Sequence, residues 1–276
     1  MSTGPYSLFL LPMVVSAVFA LLLGPALIGW LRSRRAEQPI SPDAPEKHRL
    51  KHGTPTMGGL LILPAALVGV VVGVMLFPVP SRRFAGLVSV VAVLLAGGFI
   101  GILDDLGKAR RRENKAGLSE RLKLALQLVV GVGFAYALHA TGFRTKVSGI
   151  ELGVLFWPLV VLFVVGFGNA ANFADGLDGL LGGTGAVVAS ALGILCLGVS
   201  DRPETSLFCG ALAGACIGFL WWNVYPARVF AGDTGSLAIG MGLAAAAVVS
   251  GQVLPFFGLT LVWIAEIGSM MLQRYV

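Results

Sequence analysis

Four short stretches of this 276-residue sequence carry the residue types that handle phosphates and metal ions. In GGFIGILDDLGK, Asp104 and Asp105 stand side by side, with Lys108 one helical turn beyond Asp104. Two adjacent carboxylates closing an apolar helix repel each other and the negative pole of the helix dipole, so a cation has to compensate them. Lys108, the run Arg110, Arg111 and Arg112, or a bound metal would serve, and a solvated turn paired with the arginines is the plain alternative. NAANFADGLDG spaces Asn169 from Asn172, and Asp175 from Asp178, by three residues, so each pair shares a face wherever the backbone is helical. Gly176 and Gly179 favour a break between two helices here, and Asp178 could simply cap the second one. In WWNVYPARVFAGDTGS, Asp233 stands at a helix start, as a cap or as a ligand. Gly232 and Gly235 flank it and let backbone approach a phosphate closely. Phe230 either offers an aromatic face to a base or plugs the core. The basic stretch SPDAPEKHRLKHGTPTMGG sets Lys51 beside exposed backbone N–H groups, an arrangement suited to an anion. Carboxylates, asparagines and lysines gathered on one face suit Mg²⁺ gripping a diphosphate, because Mg²⁺ takes one or two carboxylates plus substrate phosphate oxygens.

The elements that must position these residues are membrane spans. Hydrophobic residues make up 56% of the chain and charged residues 12%, about half the ~25% of a soluble domain, and the mean hydropathy is +0.86. That composition excludes a soluble enzyme, a disordered tail and a nucleic-acid-binding domain, despite a net charge of +6. Apolar segments run over 7–31, 57–79, 84–103, 122–140, 152–168, 179–199, 206–224, 234–250 and 254–273, each near the ~20 residues that cross a bilayer as a helix. The expected fold is all-α: a polytopic membrane bundle of about nine spans in a single domain, residues 1–276. The first segment is too long, and too poor in preceding positive charge, for a cleaved signal peptide. Cys196, Cys209 and Cys216 fall in apolar stretches without metal-binding spacing and read as small core residues. Most Lys and Arg residues gather in the loops after the first, third, seventh and ninth segments, against only Arg82, Arg83, Arg144, Lys146 and Arg202 on the other side. The positive-inside rule then puts the N-terminus outside and all four motifs on the cytoplasmic face.

In this order and spacing, GTPTMGG, GILDDLGK, NAANFADGLDGL and NVYPARVFAGDTGSLAIG resemble the phospho-N-acetylmuramoyl-pentapeptide transferase family. That family lies within the polyprenyl-phosphate N-acetylhexosamine-1-phosphate transferases. The resemblance covers nearly the whole chain, from the loop around Pro45 to Gln273. GTPTMGG and the last stretch favour the muramoyl branch over relatives that use UDP-N-acetylglucosamine, the runner-up reading. A transporter or inactive scaffold fits less well, because transporters place ionisable groups near the bilayer midplane. The resemblance implies transfer of phospho-N-acetylmuramoyl-pentapeptide from its UDP carrier to undecaprenyl phosphate, giving lipid I and UMP, in the bacterial plasma membrane. It implies Mg²⁺ on Asp233, and Asp104 and Asp105 as the catalytic acidic pair with Asp104 the base. It further implies Asn169, Asn172, Asp175, Asp178, Asn223 and Phe230 toward the nucleotide substrate, Phe230 against the uracil, and Lys51, Thr56 and Lys108 around the diphosphate. A homodimer with ten spans per subunit is also implied. The sequence departs from the family pattern at Ser41 and Ala44, where an arginine and a glycine are usual. Its only histidines are His48, His52 and His139, so the family's C-terminal histidine loop and last span have no counterpart before Val276, and slow transfer is the expectation for these 276 residues.

The charge bias makes a topological prediction. Single cysteines placed beside Asp105, Asp175 or Asp233 should resist an impermeant thiol reagent in intact cells, whereas one beside Lys146 should react. Labelling of the Asp175 loop from outside would contradict the orientation.

Overall fold

Lipid offers no hydrogen bonds to the main chain, so each apolar segment must satisfy its own backbone as a helix. The computed structural model describes residues 6–34, 54–111, 117–143, 146–147 and 150–275. Among them run α1 (Ser7–Ser33), α2 (Gly59–Leu76), α3 (Ser81–Arg111), α4 (Glu120–Ala140), α5 (Phe156–Ala174), α6 (Leu180–Gly198), α7 (Pro203–Asn223), α8 (Gly232–Ser250), α9 (Val253–Leu259) and α10 (Leu261–Tyr275). Eight of the described helices are long and apolar enough to cross a membrane, and α9 with α10 makes a ninth if that bent pair is one span. A two-residue antiparallel ladder, β1 (Lys146–Val147) on β2 (Ile150–Glu151), joins α4 to α5.

Two elements differ from the hydropathy pattern. The third segment ends its apolar run near Leu103, yet α3 continues to Arg111. Charge stops the apolar run but not the helix, because Asp104 and Lys108 pair at 2.6 Å across one turn. Asp104 and Asp105 therefore stand inside a helix rather than closing it. The ninth segment is broken, with α9 and α10 meeting at 62°. At the bend the Thr260 hydroxyl donates back to the Phe256 carbonyl at 2.7 Å, a contact that bends helices. Trp263 Nε1 then donates to Thr184 Oγ1 at 2.8 Å and ties α10 to α6. Between α5, α9 and α10 lies an apolar cavity of about 470 Å³, lined by Phe163, Phe257 and Ile264 and reaching Ala170.

The centre of the bundle is α8, every residue of which is buried. It packs chiefly on α3 and α5, with α2, α6 and α7 also against it. Such proximity requires small side chains, since helices in lipid associate through close van der Waals packing. The same rule holds α1 on α7. Gly210, Gly214 and Gly218 recur every four residues along α7, and a Cβ at these positions would run into the carbonyl oxygens of Phe9, Met13 and Ala17. The three cysteines are free and buried. At the end of α3 away from Asp104, Arg83 pairs with Asp201 at 3.0 Å and approaches buried Glu204 at 3.8 Å.

Replacing Gly214 with leucine should force α1 off α7 and cost at least ~3 kcal/mol, the upper part of the usual overpacking range, because backbone rather than a flexible side chain blocks the site. Gly133→Ala on α4, where nothing lies within 4 Å, should leave stability unchanged or slightly raised. Thermal unfolding of both variants in the same detergent measures the contrast, and equal melting temperatures would refute the packing argument.

Candidate active site

Four helices deliver polar side chains to one end of the bundle. The C-terminal part of α3 supplies Asp104, Asp105 and Lys108, and the first turn of α4 supplies Lys123. Its start is fixed by Ser119, whose hydroxyl accepts from the Leu122 N–H at 3.3 Å, and by the Leu118 N–H, which donates to Asp104 Oδ1 at 2.9 Å. The last turns of α5 supply Asn169 and Asn172, and the first turn of α8 supplies Asp233.

The three carboxylates of Asp104, Asp105 and Asp233 each present an oxygen within 4.8 Å of the others, and all three residues are buried. Two ammonium groups lie among them. Lys108 Nζ sits 2.6 Å from Asp104 Oδ2 and 3.2 Å from Asp233 Oδ2. Lys123 Nζ is in direct contact with Asp233 Oδ2 and 3.9 Å from Asp104 Oδ2. The other oxygen of Asp233 accepts from Asn172 Nδ2 at 2.8 Å, and the same amide donates to Ser236 Oγ at 2.8 Å. Asp233 is thus gripped from α3, α4 and α5 at once. Among the described residues of this cluster, three carboxylates against two ammonium groups leave one formal negative charge in a largely dry place, where Coulomb interactions are strong. Lys108 already occupies the point where Asp104 and Asp233 converge, so a cation fits there. Displaced toward an anionic ligand, the lysines would leave an all-oxygen donor set that suits a hard divalent ion.

Asp105 turns the other way, onto the backbone of α8. Its Oδ1 accepts from the Asp233 N–H at 3.2 Å, and its Oδ2 accepts from the Thr234 N–H at 3.0 Å and the Thr234 hydroxyl at 2.7 Å. Asp175, the first residue beyond α5, accepts from the Gly232 N–H at 2.9 Å through its Oδ2. The sequence places Asp233 as a possible cap of its own helix and Gly232 and Gly235 as a seat for phosphate. Instead, carboxylates from two other elements take the N-terminal amides of α8, and the side chain of Asp233 faces the lysines.

The remaining expected residues are spread around this cluster. Thr56 is buried, and its Oγ1 lies 2.6 Å from where a Cβ on Gly232 would stand. The GTPTMGG loop is stitched to the segment before α8 by Phe230 N–H to Pro55 O at 2.9 Å and Gly58 N–H to Phe230 O at 2.7 Å. Phe230 itself is half-buried. Asn169 lies one turn back from Asn172 and donates to Gln127 Oε1 at 2.6 Å, an amide pair that joins α5 to α4. Asp178 does not cap α6. It accepts from the Ala227 N–H at 3.1 Å, while Asn223 accepts from the Gly179 N–H at 3.0 Å and donates to Val229 O at 2.9 Å. These two side chains lock the α5–α6 break to the α7–α8 loop. Lys51, Ser41, Ala44, His48 and His52 lie outside the described residues.

Sequence alone does not single out Lys123 or Gln127 as site residues. Both lie in ERLKLALQLVV, where a lysine reads as the basic flank of a span and a glutamine as a tolerated polar residue. Their spacing of four, at the start of a segment that must cross lipid, is the signal that could have found them.

Comparison with known proteins covers the stretches of chain that carry these residues. A family model described as Glycosyl transferase family 4 matches residues 87–251, and one described as Phospho-N-acetylmuramoyl-pentapeptide-transferase signature 1 matches residues 51–63. Curated relatives named Phospho-N-acetylmuramoyl-pentapeptide-transferase include one from Picosynechococcus sp., 43% identical over 252 residues that cover 88% of this chain and 65% of the relative. Another, from Trichormus variabilis, is 38% identical over 271 residues, covering 95% of this chain and 71% of the relative. A third, from Halalkalibacterium halodurans, is 37% identical over 270 residues, covering 96% and 82%. The chain thus spans just under two thirds of the first of these relatives.

Proposed function

The chain belongs to the phospho-N-acetylmuramoyl-pentapeptide transferase family, and from that premise we propose that it moves a phospho-N-acetylmuramoyl-pentapeptide from UDP to undecaprenyl phosphate in peptidoglycan synthesis. The observation that carries the reading is the meeting of Asp104 and Asp233 with Lys108 and Lys123 at one end of the bundle. A phosphate monoester and a diphosphate repel each other, and a site that joins them must screen both while aligning the attacking and leaving oxygens.

In the proposed reaction an oxygen of undecaprenyl phosphate attacks the sugar-bearing phosphorus of the donor. The bond from that phosphorus to the bridging oxygen breaks, and UMP leaves with the electron pair. Lys108 and Lys123 release Asp233 and Asp104 to pair with substrate phosphates, which places two positive charges beside the developing charge. Asp104 takes the proton of the lipid phosphate when one is present, a light task because that group's second pKa is about 6. Asp233, with Asp104 in reach, would hold Mg²⁺, which supplies Lewis-acid screening of the phosphate oxygens. Asn172 keeps the Asp233 carboxylate oriented, while Asp175, Asp178, Asn223 and Phe230 are assigned to the nucleotide and Lys51 and Thr56 to the diphosphate. The apolar cavity runs from Leu152 along α5 to Ala170, against α9 and α10, and such an apolar lane suits a polyprenyl chain. The working form proposed is a homodimer in the bacterial plasma membrane, N-terminus outside and the acidic site in the cytoplasm, in keeping with the basic loops.

The test is UMP release by the purified chain in lipid nanodiscs. UMP should appear from the UDP-muramoyl-pentapeptide donor only when Mg²⁺ and undecaprenyl phosphate are both present. Asp233→Asn should lower turnover by ~10²–10³, the usual cost of one transition-state electrostatic contact. Asp104→Asn should lower it comparably while leaving the Mg²⁺ requirement nearer normal. Release without the lipid acceptor, or preference for UDP-N-acetylglucosamine, would overturn the assignment.

A further inference from the structure

We propose that Asp105 is a positioning residue: its carboxylate fastens the N-terminus of α8 and so fixes where Asp233 stands. The first amides of any helix lack intrahelical partners, and a buried N-terminus needs acceptors from elsewhere. The position before α8 is Ala231, which offers no side-chain acceptor. Asp105 fills the vacancy from α3, with both carboxylate oxygens engaged by the Asp233 and Thr234 amides and the Thr234 hydroxyl, and with only 2% of the residue exposed. Gly101, one turn earlier on the same face of α3, permits the approach, because a Cβ there would overlap the Asp233 carbonyl and the Thr234 nitrogen. Gly232 is held equally tightly. Its φ is +69°, and a Cβ would stand 2.6 Å from Asp105 Oδ2. Room and acceptor together form a clasp between α3 and the peptide that carries Asp233.

Two adjacent aspartates of one motif therefore do different work. Asp104 faces Lys108 and Lys123 across the site, whereas Asp105 has its acceptors committed to backbone. A carboxylate at a helix N-terminus is favoured by the dipole and makes charge-assisted bonds, which suits a long-lived anchor. Asp105 acts on substrate only through Asp233.

The activity readout rests on the transferase reading, and the exchange readout does not. The variants are Asp105→Asn, which sets an amide N–H against one of the α8 N–H groups, Thr234→Val, which removes only the hydroxyl bond, and the double variant. For Asp105→Asn in the full chain, the Mg²⁺ concentration for half-maximal UMP release should rise by ~10-fold or more, as when an outer partner of a metal ligand is lost. Hydrogen exchange across 231–236 should accelerate without substrate or metal present. Thr234→Val should move both quantities the same way by less, and the double variant should fall short of the product of the single effects. Unaltered exchange at 231–236, or an unaltered Mg²⁺ requirement with lowered turnover, would overturn the proposal and make Asp105 a direct participant. If Asp105→Asn does not fold, Thr234→Val decides by the same two readouts. An unmodified chain that releases no UMP would fail the transferase reading, and the exchange comparison would still judge the clasp.

Discussion

A buried helix N-terminus in a membrane protein presents amides that neither lipid nor water can satisfy. Here that terminus belongs to α8, buried along its whole length at the centre of the bundle. Asp105 and Asp175 arrive from α3 and from the end of α5 to accept its first N–H groups. Much of the surrounding architecture follows from this need. The small residues Gly101 and Gly232 let backbone meet backbone, and the loop from Pro55 to Gly58 zips against Phe230 to close the other side. The residue one place into α8, Asp233, is then carried to a fixed point without using its own side chain for capping.

Charge supplies the second constraint. Burying three carboxylates together is costly unless cations and hydrogen-bond donors neutralise them. Lys108 and Lys123 provide the cations, and Asn172 provides a donor. Each comes from a different helix, so the cluster exists only when α3, α4, α5 and α8 are packed. The amide pair of Gln127 and Asn169 sits one turn below and holds α4 against α5 beneath the ions. Among the described residues the cluster keeps one formal negative charge more than its lysines balance, and under the proposed function the lysine pairing would be exchanged for a divalent ion and phosphate.

The spans were legible in the sequence because hydropathy over some 20 residues is a strong signal, and every apolar segment maps onto described helix. The ends were less so. Apolar patterning stops α3 near Leu103, while the Asp104–Lys108 pair carries the helix on to Arg111. It also runs through Thr260, where a hydroxyl back-bond breaks the ninth segment. The acidic motifs stood out by residue type, and Asp104, Asp105, Asn172 and Asp233 do converge. Which carboxylate faces the lysines and which caps a helix depends on contacts between distant parts of the chain, and no local spacing encodes that. Lys123 and Gln127 stand out less than the acidic motifs, since a polar residue near a span end looks like flank and only their four-residue spacing marks them.

Under the proposed function, Asp233 is the point at which a divalent cation and the substrate phosphates meet, held there by α8 and released from its lysines on binding. Anomalous diffraction from crystals of the protein grown with Mn²⁺ and the UDP-linked donor tests this most directly. The predicted result is a single strong peak about 2.1 Å from an Asp233 carboxylate oxygen. Lys108 and Lys123 should be turned onto phosphate oxygens, and Asp105 should still bond the amides of Asp233 and Thr234. A peak away from Asp233, or a donor bound with both lysines still paired to that carboxylate, would contradict it.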